Sequence, residues 1–209
     1  MQIVSSSLTF APVSWWAHVI TSPRLTIDAA EHFGKMSYRN RYRVSGANGV
    51  IQLSVPLVKG RDQRTAMRDV LIHNEADWQV QHWRTLTSVY RRSPFWEHYE
   101  WTLEPLFKTR YEHLMQFNAH SFEWVCRQLS ISPEMAYADT FITDYPADTD
   151  DLRKATFKTD VFPPYYQVFA DRTGFQPNLS ILDLLFSEGP ATKDWLTRNR
   201  SAIKAGAGK

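Results

Sequence analysis

His82, Ser180 and Asp183 are the side chains of this chain whose types could run a nucleophilic or acid–base reaction. An imidazole titrates near neutral pH and can take a proton from a hydroxyl, while a carboxylate holds the ring in one tautomer. Such a Ser180–His82–Asp183 relay is defined by geometry and not by order, so the long stretch of chain after His82 neither supports nor excludes it. Each member also has a plainer description. Ser180 fits a helix N-cap and Asp183 an acidic first turn. His82, beside Trp83 on an aromatic helix face, fits a hydrogen-bonded core histidine.

A second set of residues is equipped to bind. Arg41 carries a planar fork suited to a carboxylate or phosphate, and Lys35 adds a point charge. Asn40 shares their strand entry; as structural residues, Asn40 would cap a turn and Arg41 would pair with an acid. Tyr90 lies just before the Ser93-Pro94 junction of two helices, with Glu97 beyond it. Tyr166 and Gln167 form a polar recognition pair after Pro163-Pro164. The whole run from Pro163 to Phe186 mixes aromatic, amide, hydroxyl and carboxylate groups without a repeat. It reads as a shaped site, or the frame of one.

Composition removes several classes of function. With 24 basic and 22 acidic residues the net charge is +2, so there is no bulk footprint for nucleic acid. The densest basic run, Tyr38 to Arg43, could stack bases on its aromatics and hold phosphate with its arginines, or alternate Tyr38, Asn40 and Tyr42 against Arg39, Arg41 and Arg43 as a half-buried strand would. The single cysteine, Cys126, rules out an internal disulfide, and its neighbours Phe122, Val125 and Leu129 place it on a buried helix face. The seven histidines show no His-x-x-x-His or His-Glu-x-x-His spacing, so no metal site is expected. Gly46 and Gly49 belong to a hairpin turn rather than a phosphate loop, which leaves any cofactor unassigned. No run approaches the ~18 apolar residues of a membrane span. The N-terminus lacks a basic lead into an apolar stretch, and the expected location is cytoplasmic.

The elements that must position these groups follow from periodicity. Strands are expected at Leu8–Phe10, Leu25–Asp28 and Val70–Ile72. A hairpin runs from Tyr38 to Val58, with Asn48-Gly49 supplying the positive φ of its turn. A short helix from Ser14, taken as its N-cap, precedes three more: Trp78–Arg91, one from Ser93-Pro94, and Asn118–Leu129. Residues 143–162 are polar and acidic and read as a surface loop or lid. A last helix covers Leu179–Phe186. These elements predict one α+β domain over residues 1–200, a mixed or antiparallel sheet covered by helices, followed by a disordered tail at 201–209. The Tyr165–Phe186 segment should fold back beside Lys35–Arg41 and His82.

The succession Phe10-Ala11-Pro12-Val13-Ser14-Trp15-Trp16, Lys35 to Arg41, Leu53-Ser54-Val55-Pro56-Leu57, His82 to Leu86 and Tyr90 to Trp96 resembles the WbqC-like protein family, in the form found in Bacteroidetes. Tyr165-Tyr166-Gln167 and Leu179 to Pro190 extend the likeness over roughly residues 8 to 190. Many members carry Gln-Pro before the first of these words, where this chain has Ser7-Leu8-Thr9. The resemblance implies a bacterial protein of surface-polysaccharide (lipopolysaccharide O-antigen-type) biosynthesis. The implied activity is acyl or aminoacyl transfer to an amino sugar or nucleotide sugar, with a small-molecule or glycan substrate. The alternative is a non-catalytic protein that recognises a small acidic metabolite or glycan. The resemblance assigns no catalytic residue.

Overall fold

A computed structural model of the chain describes residues 2–34, 36–58, 64–155, 157 and 162–206. Gln2–Ser5 forms β1, Val13–Val19 α1 and Arg24–Asp28 β2. β1 and β2 run parallel, with Gln2 opposite Arg24 and Ser5 opposite Ile27, so α1 is the crossover that parallel neighbours require. The hairpin is β3 (Arg41–Val44) and β4 (Ile51–Ser54), with Arg41 opposite Ser54. Its turn uses Gly49 at φ 109°, as Asn48-Gly49 predicts. Helices α2 (Trp78–Tyr90), α3 (Trp96–Lys108) and α4 (Leu114–Leu129) follow, then strands β5 (Glu134–Ala138) and β6 (Thr149–Asp151). The single turn α5 (Ala170–Thr173), α6 (Ile181–Glu188) and α7 (Thr192–Gly206) complete the described chain.

The sheet has the order β5-β2-β1-β6 and every pairing in it is parallel. The expected single domain of mixed helix and strand is what forms, with antiparallel pairing confined to the β3–β4 hairpin. The reason is burial: β1 and β2 are short runs buried along nearly their whole length, as parallel strands covered by helices are. β6 lies inside the segment read as a loop or lid, so part of 143–162 is sheet. Val70–Ile72 makes only isolated bridges, Leu57 to Ile72 and Leu71 to His113. Leu8–Phe10 is not a strand; Phe10 sits at φ 38°. α7 extends to Gly206 with Ile203 fully buried, so the chain stays helical into the stretch expected to be a tail, and residues 207–209 lie outside the described residues.

The core is aromatic. Trp15, Trp16, Trp78, Trp96 and Trp124 are buried, while Trp101 on α3 is exposed. α2 turns Trp78, His82, Leu86 and Val89 inward, one face of a 3.6-residue period. The expected N-cap of α1 is corrected: Pro12 holds that position, and the free N–H of Ser14 donates to Oδ1 of Asn178 at 2.9 Å. A distant side chain thus serves as the cap that satisfies an orphan donor of the first turn. Around it, Val13 N–H donates to Leu179 O, Ser180 N–H to Arg43 O and Ile181 N–H to Ala11 O. The chain from 178 to 181 therefore ties α1, β3 and α6 together.

Candidate functional site

The most chemically loaded point of the fold is Asp183, 1% exposed on the first turn of α6. Its Oδ1 accepts from the Tyr90 hydroxyl at 2.5 Å, and its Oδ2 from the Tyr165 hydroxyl at 2.8 Å and Gln167 Nε2 at 2.9 Å. Burial pushes the carboxyl up from its ordinary range, and the hydrogen bonds from Tyr90, Tyr165 and Gln167 pull it back. Tyr90, Tyr165 and Gln167 all donate to it, which suits an acceptor-only carboxylate. Burial and the neighbouring carboxylate push the Tyr90 and Tyr165 phenols well above 10, so both remain donors at any physiological pH.

This hub sets the path of the segment after the diproline. Gln167 also donates to Gln176 O at 2.9 Å and accepts Gln176 N–H at 2.8 Å, which brackets α5 as a closed loop. Tyr165 and Gln167 point inward, at 7% and 2% exposure, so the extended backbone turns Tyr166 outward, at 55%. Tyr166 then lines a groove of about 910 Å³ with Val168 and Phe169 on one side and Trp83, Arg84, Arg91 and Arg92 on the other. Arg84, Ser88 and Arg91 stand at i, i+4 and i+7 on the outer face of α2. None of the three arginines makes an ion pair among the described residues. Thr87 Oγ1, also in the groove wall, is buried and has no hydrogen-bond partner among the described residues. A basic, aromatic-walled groove of this size can take a phosphorylated or otherwise anionic ligand and stack its rings.

Of the residues singled out from sequence, Tyr90, Gln167 and Asp183 meet directly, and Tyr166 is held by them. The other expected contacts do not form. Ser180 is the N-cap of α6: its Oγ accepts Leu182 N–H at 3.3 Å and donates to Phe10 O at 2.9 Å. His82 Nδ1 lies 3.1 Å from the Tyr42 hydroxyl, against the rings of Trp78 and Phe107. The side chains of Ser180, His82 and Asp183 share no hydrogen bond, although Asp183 N–H donates to Ser180 O at 3.0 Å, and His82 faces the core while Tyr166 faces the opposite side of α2. The folding-back of Tyr165–Phe186 onto His82 is thus corrected, because the helix period puts 82 and the 84–88–91 stripe on different faces. Asn40 is buried and donates from Nδ2 to Val55 O at 2.9 Å, clamping the exit of the hairpin. Arg41 is half-buried on β3 with its Nε unpartnered. Lys35 lies outside the described residues. Cys126 is buried and its thiol pushed up to about 12, which makes it inert.

Burial pushes the His82 imidazole down to about 4, with a hydrogen bond to the Ser54 backbone opposing it. Because the folded value lies below 6.5, the unfolded chain takes up the proton first as pH falls. His82 therefore contributes stability above pH 6.5 that is lost between pH 6.5 and 4, on the order of 3 kcal/mol. Urea midpoints across that window should fall steeply for the wild type and less steeply for His82→Leu. His18, also lowered, supplies part of the slope that remains.

The second concave region lies where ligands of parallel sheets usually bind, outside the carboxyl ends of the strands. Asp28 ends β2 and Arg153 follows β6, and the two pair at 2.7 Å across the end of β1. Arg153 also holds Asp151 at 2.6 Å and the carbonyls of Ile142 and Thr143. Nearby, Arg39 grips Glu31 through Nε at 3.0 Å and Nη2 at 2.6 Å, and reaches Ser6 Oγ at 2.8 Å. The crevice beside them, about 380 Å³, also meets His32, Phe141 and Lys154. Its two arginines are already engaged by carboxylates, whereas those of the α2 groove are not. Free guanidinium groups, not neutralised ones, attract an anion, so the groove is the stronger candidate. Among the described residues no cluster of three or more His, Cys, Asp or Glu side chains could hold a metal ion, and no helix is long and apolar enough to cross a membrane.

Arg84, Arg91 and Arg92 line the groove, and the candidate residues read from the sequence do not include them. Their signal was present: each sits in a word already marked as recurrent, at 82–86 or 90–96, and the stripe they form has helical spacing.

Comparison with known proteins places this geometry in a family. The family model described as WbqC-like protein family matches residues 19–154, which include α2 and the three groove arginines. The chain is similar to the uncharacterized protein Rv1507c of Mycobacterium tuberculosis, 26% identical over 197 residues, covering 78% of this chain and 83% of that protein. No solved structure matches.

Proposed function

The chain belongs to the WbqC-like protein family, and we propose that it recognises a phosphorylated sugar, of the nucleotide-linked class, in the groove between α2 and residues 166–169. The observation that carries this reading is the set of three arginines, without an ion pair among the described residues, facing Tyr166 and Phe169 across about 910 Å³. Guanidinium forks suit the oxygens of a diphosphate, and exposed aromatic faces suit a base or sugar ring. The resemblance to proteins of surface-polysaccharide biosynthesis supplies the sugar. Group transfer to that sugar is the catalytic form of the same reading. Fixed cations and aromatic faces need no general base, and the imidazole offered by the sequence stands on the far face of α2. The geometry therefore favours recognition over catalysis.

A thermal-shift series with nucleotide sugars, acyl-CoAs and free amino sugars tests the proposal. A ligand present at 100 times its Kd adds about 2.7 kcal/mol to native stability. Nucleotide sugars should raise the Tm of the wild type, and the rise should disappear in an Arg84→Gln, Arg91→Gln, Arg92→Gln variant. A rise that survives in that variant, or one given only by uncharged amino sugars, would count against the groove.

A further inference from the structure

At the amino-terminal end of the sheet, far along the chain from the groove residues, α1, β6 and α7 enclose a small cavity of about 100 Å³. His18 enters it from α1, Asp150 from β6, and Arg200 and Lys204 from one face of α7, four residues apart. Thr21 and Ser22 complete its polar wall. The four charged or titratable groups are fixed by one another and by backbone. His18 Nδ1 lies 3.1 Å from Asp150 Oδ2, and Lys204 Nζ lies 3.2 Å from the same oxygen. Arg200 Nε donates to the carbonyl of Ala17 at 3.2 Å, which anchors its guanidinium on α1.

The charges do not balance. Two cations stand beside one carboxylate, and His18, only 8% exposed, is a third potential cation. Donors are also left over. The terminal amino groups of Arg200 make no hydrogen bond among the described residues, Lys204 uses one of its three protons, and the Nε2 of His18 has no partner there. Surface lysines and arginines are normally spread and solvated. Here they converge on a walled space and are held in place before any ligand arrives, which lowers the ordering cost of binding.

We propose that this cavity is a second binding site, for a small oxyanion such as a phosphate or carboxylate group, held by Arg200, Lys204 and His18. Its size admits such a group, and none of its lining residues belongs to the α2 groove. Asp150 orients His18 through Nδ1, leaving Nε2 to face the anion. The same arrangement makes His18 a reporter. Its imidazole is lowered first by burial and further by the fields of Lys204 and Arg200, while Asp150 opposes them. An anion in the cavity cancels the two cationic fields, so the pKa of His18 should rise when the site fills. Phe157 packs edge-on against the ring, and the remaining cavity-lining residues, Ile3, Thr21, Ser22 and Pro23, carry no charge.

Imidazole signals of the full chain, followed by NMR during titration with inorganic phosphate at constant ionic strength, test the site. His18→Gln identifies the signal. The wild type and the Arg84→Gln, Arg91→Gln, Arg92→Gln variant should show the same saturable shift of His18 and an upward move of its titration midpoint. Arg200→Gln with Lys204→Gln should weaken phosphate at least tenfold, and Lys204→Met alone should weaken it where the double variant does not fold. A matching titration with acetate separates the sources: a shift with both anions assigns a general oxyanion site, and one with phosphate alone a phosphoryl site. Absence of a saturable shift in the wild type, or an unchanged shift in a folded Arg200 and Lys204 variant, would overturn the proposal.

Discussion

Arg153→Met is expected to lower the unfolding free energy by about 3–5 kcal/mol, the cost of removing one partner of a buried ion pair. Arg153 and Asp28 have side-chain exposures of 3% and 0%. Asp28 accepts the N–H groups of Ala30 and Glu31 through Oδ1, so it forms the turn after β2 while its Oδ2 holds the guanidinium. Methionine fills the stem volume but leaves that carboxylate buried without its counter-ion. The guanidinium also lies over the rings of Tyr145 and Phe141, at 4.9 and 5.3 Å, and those contacts are lost as well. Against a total stability of about 5–15 kcal/mol, this is enough to populate unfolded chain. Urea unfolding of Arg153→Met, Asp28→Asn and the double variant should show a double-variant cost well below the sum of the singles. A loss under about 1 kcal/mol in Arg153→Met would mean that the clamp is a solvated surface pair.

Asp183→Ala should be of similar size and should also reach the groove. It strands the Tyr90 and Tyr165 hydroxyls, two donors in a buried cluster, each costing about 1–3 kcal/mol when unpaired, while Gln167 Nε2 keeps Gln176 O. The costs overlap, and a total on the order of 4 kcal/mol is expected. Asp183→Asn keeps the shape and one acceptor but turns an amide toward donors, so it should fall between. The functional consequence separates this residue from an ordinary core position. Tyr165 and Gln167 lose the anchor that turns Tyr166 outward, so nucleotide-sugar affinity should drop in Asp183→Asn although that side chain never meets solvent. Calorimetric titration of the folded Asp183→Asn protein reads this, and wild-type affinity there would disconnect the hub from the groove.

How much of this was legible in the chain depends on the length and patterning of each element. The β3–β4 hairpin, α2 and α6 carry strong local signals: Asn48-Gly49, a one-sided aromatic period, and Ser180 ahead of an apolar run. The parallel sheet carried almost none. β5 reads Glu-Met-Ala-Tyr-Ala and β6 Thr-Asp-Asp, neither of which alternates or is notably apolar. They are strands because β2 and β1 offer them open edges, a tertiary cause with no local trace. For the site, residue types were readable and partners were not. Asp183 stands one turn from Ser180 by sequence, yet its bonds run to Tyr90, Tyr165 and Gln167. Asn178 caps α1 from the other end of the chain. The period of α2 alone, applied to His82 and Arg84 together, already separates a core histidine from a groove arginine.

The central claim is that an anionic sugar ligand lies between α2 and Tyr166. Its most direct test is photocrosslinking of the wild-type protein with an azido-substituted nucleotide sugar, followed by mapping of the labelled peptides by mass spectrometry. Label is expected on residues 83–92 and 165–169, competed away by the unmodified nucleotide sugar and absent when Arg84, Arg91 and Arg92 are glutamine. Label confined to the crevice of Glu31, Arg39 and Arg153, with the groove peptides unmodified, would contradict it and move the site to the carboxyl edge of the sheet.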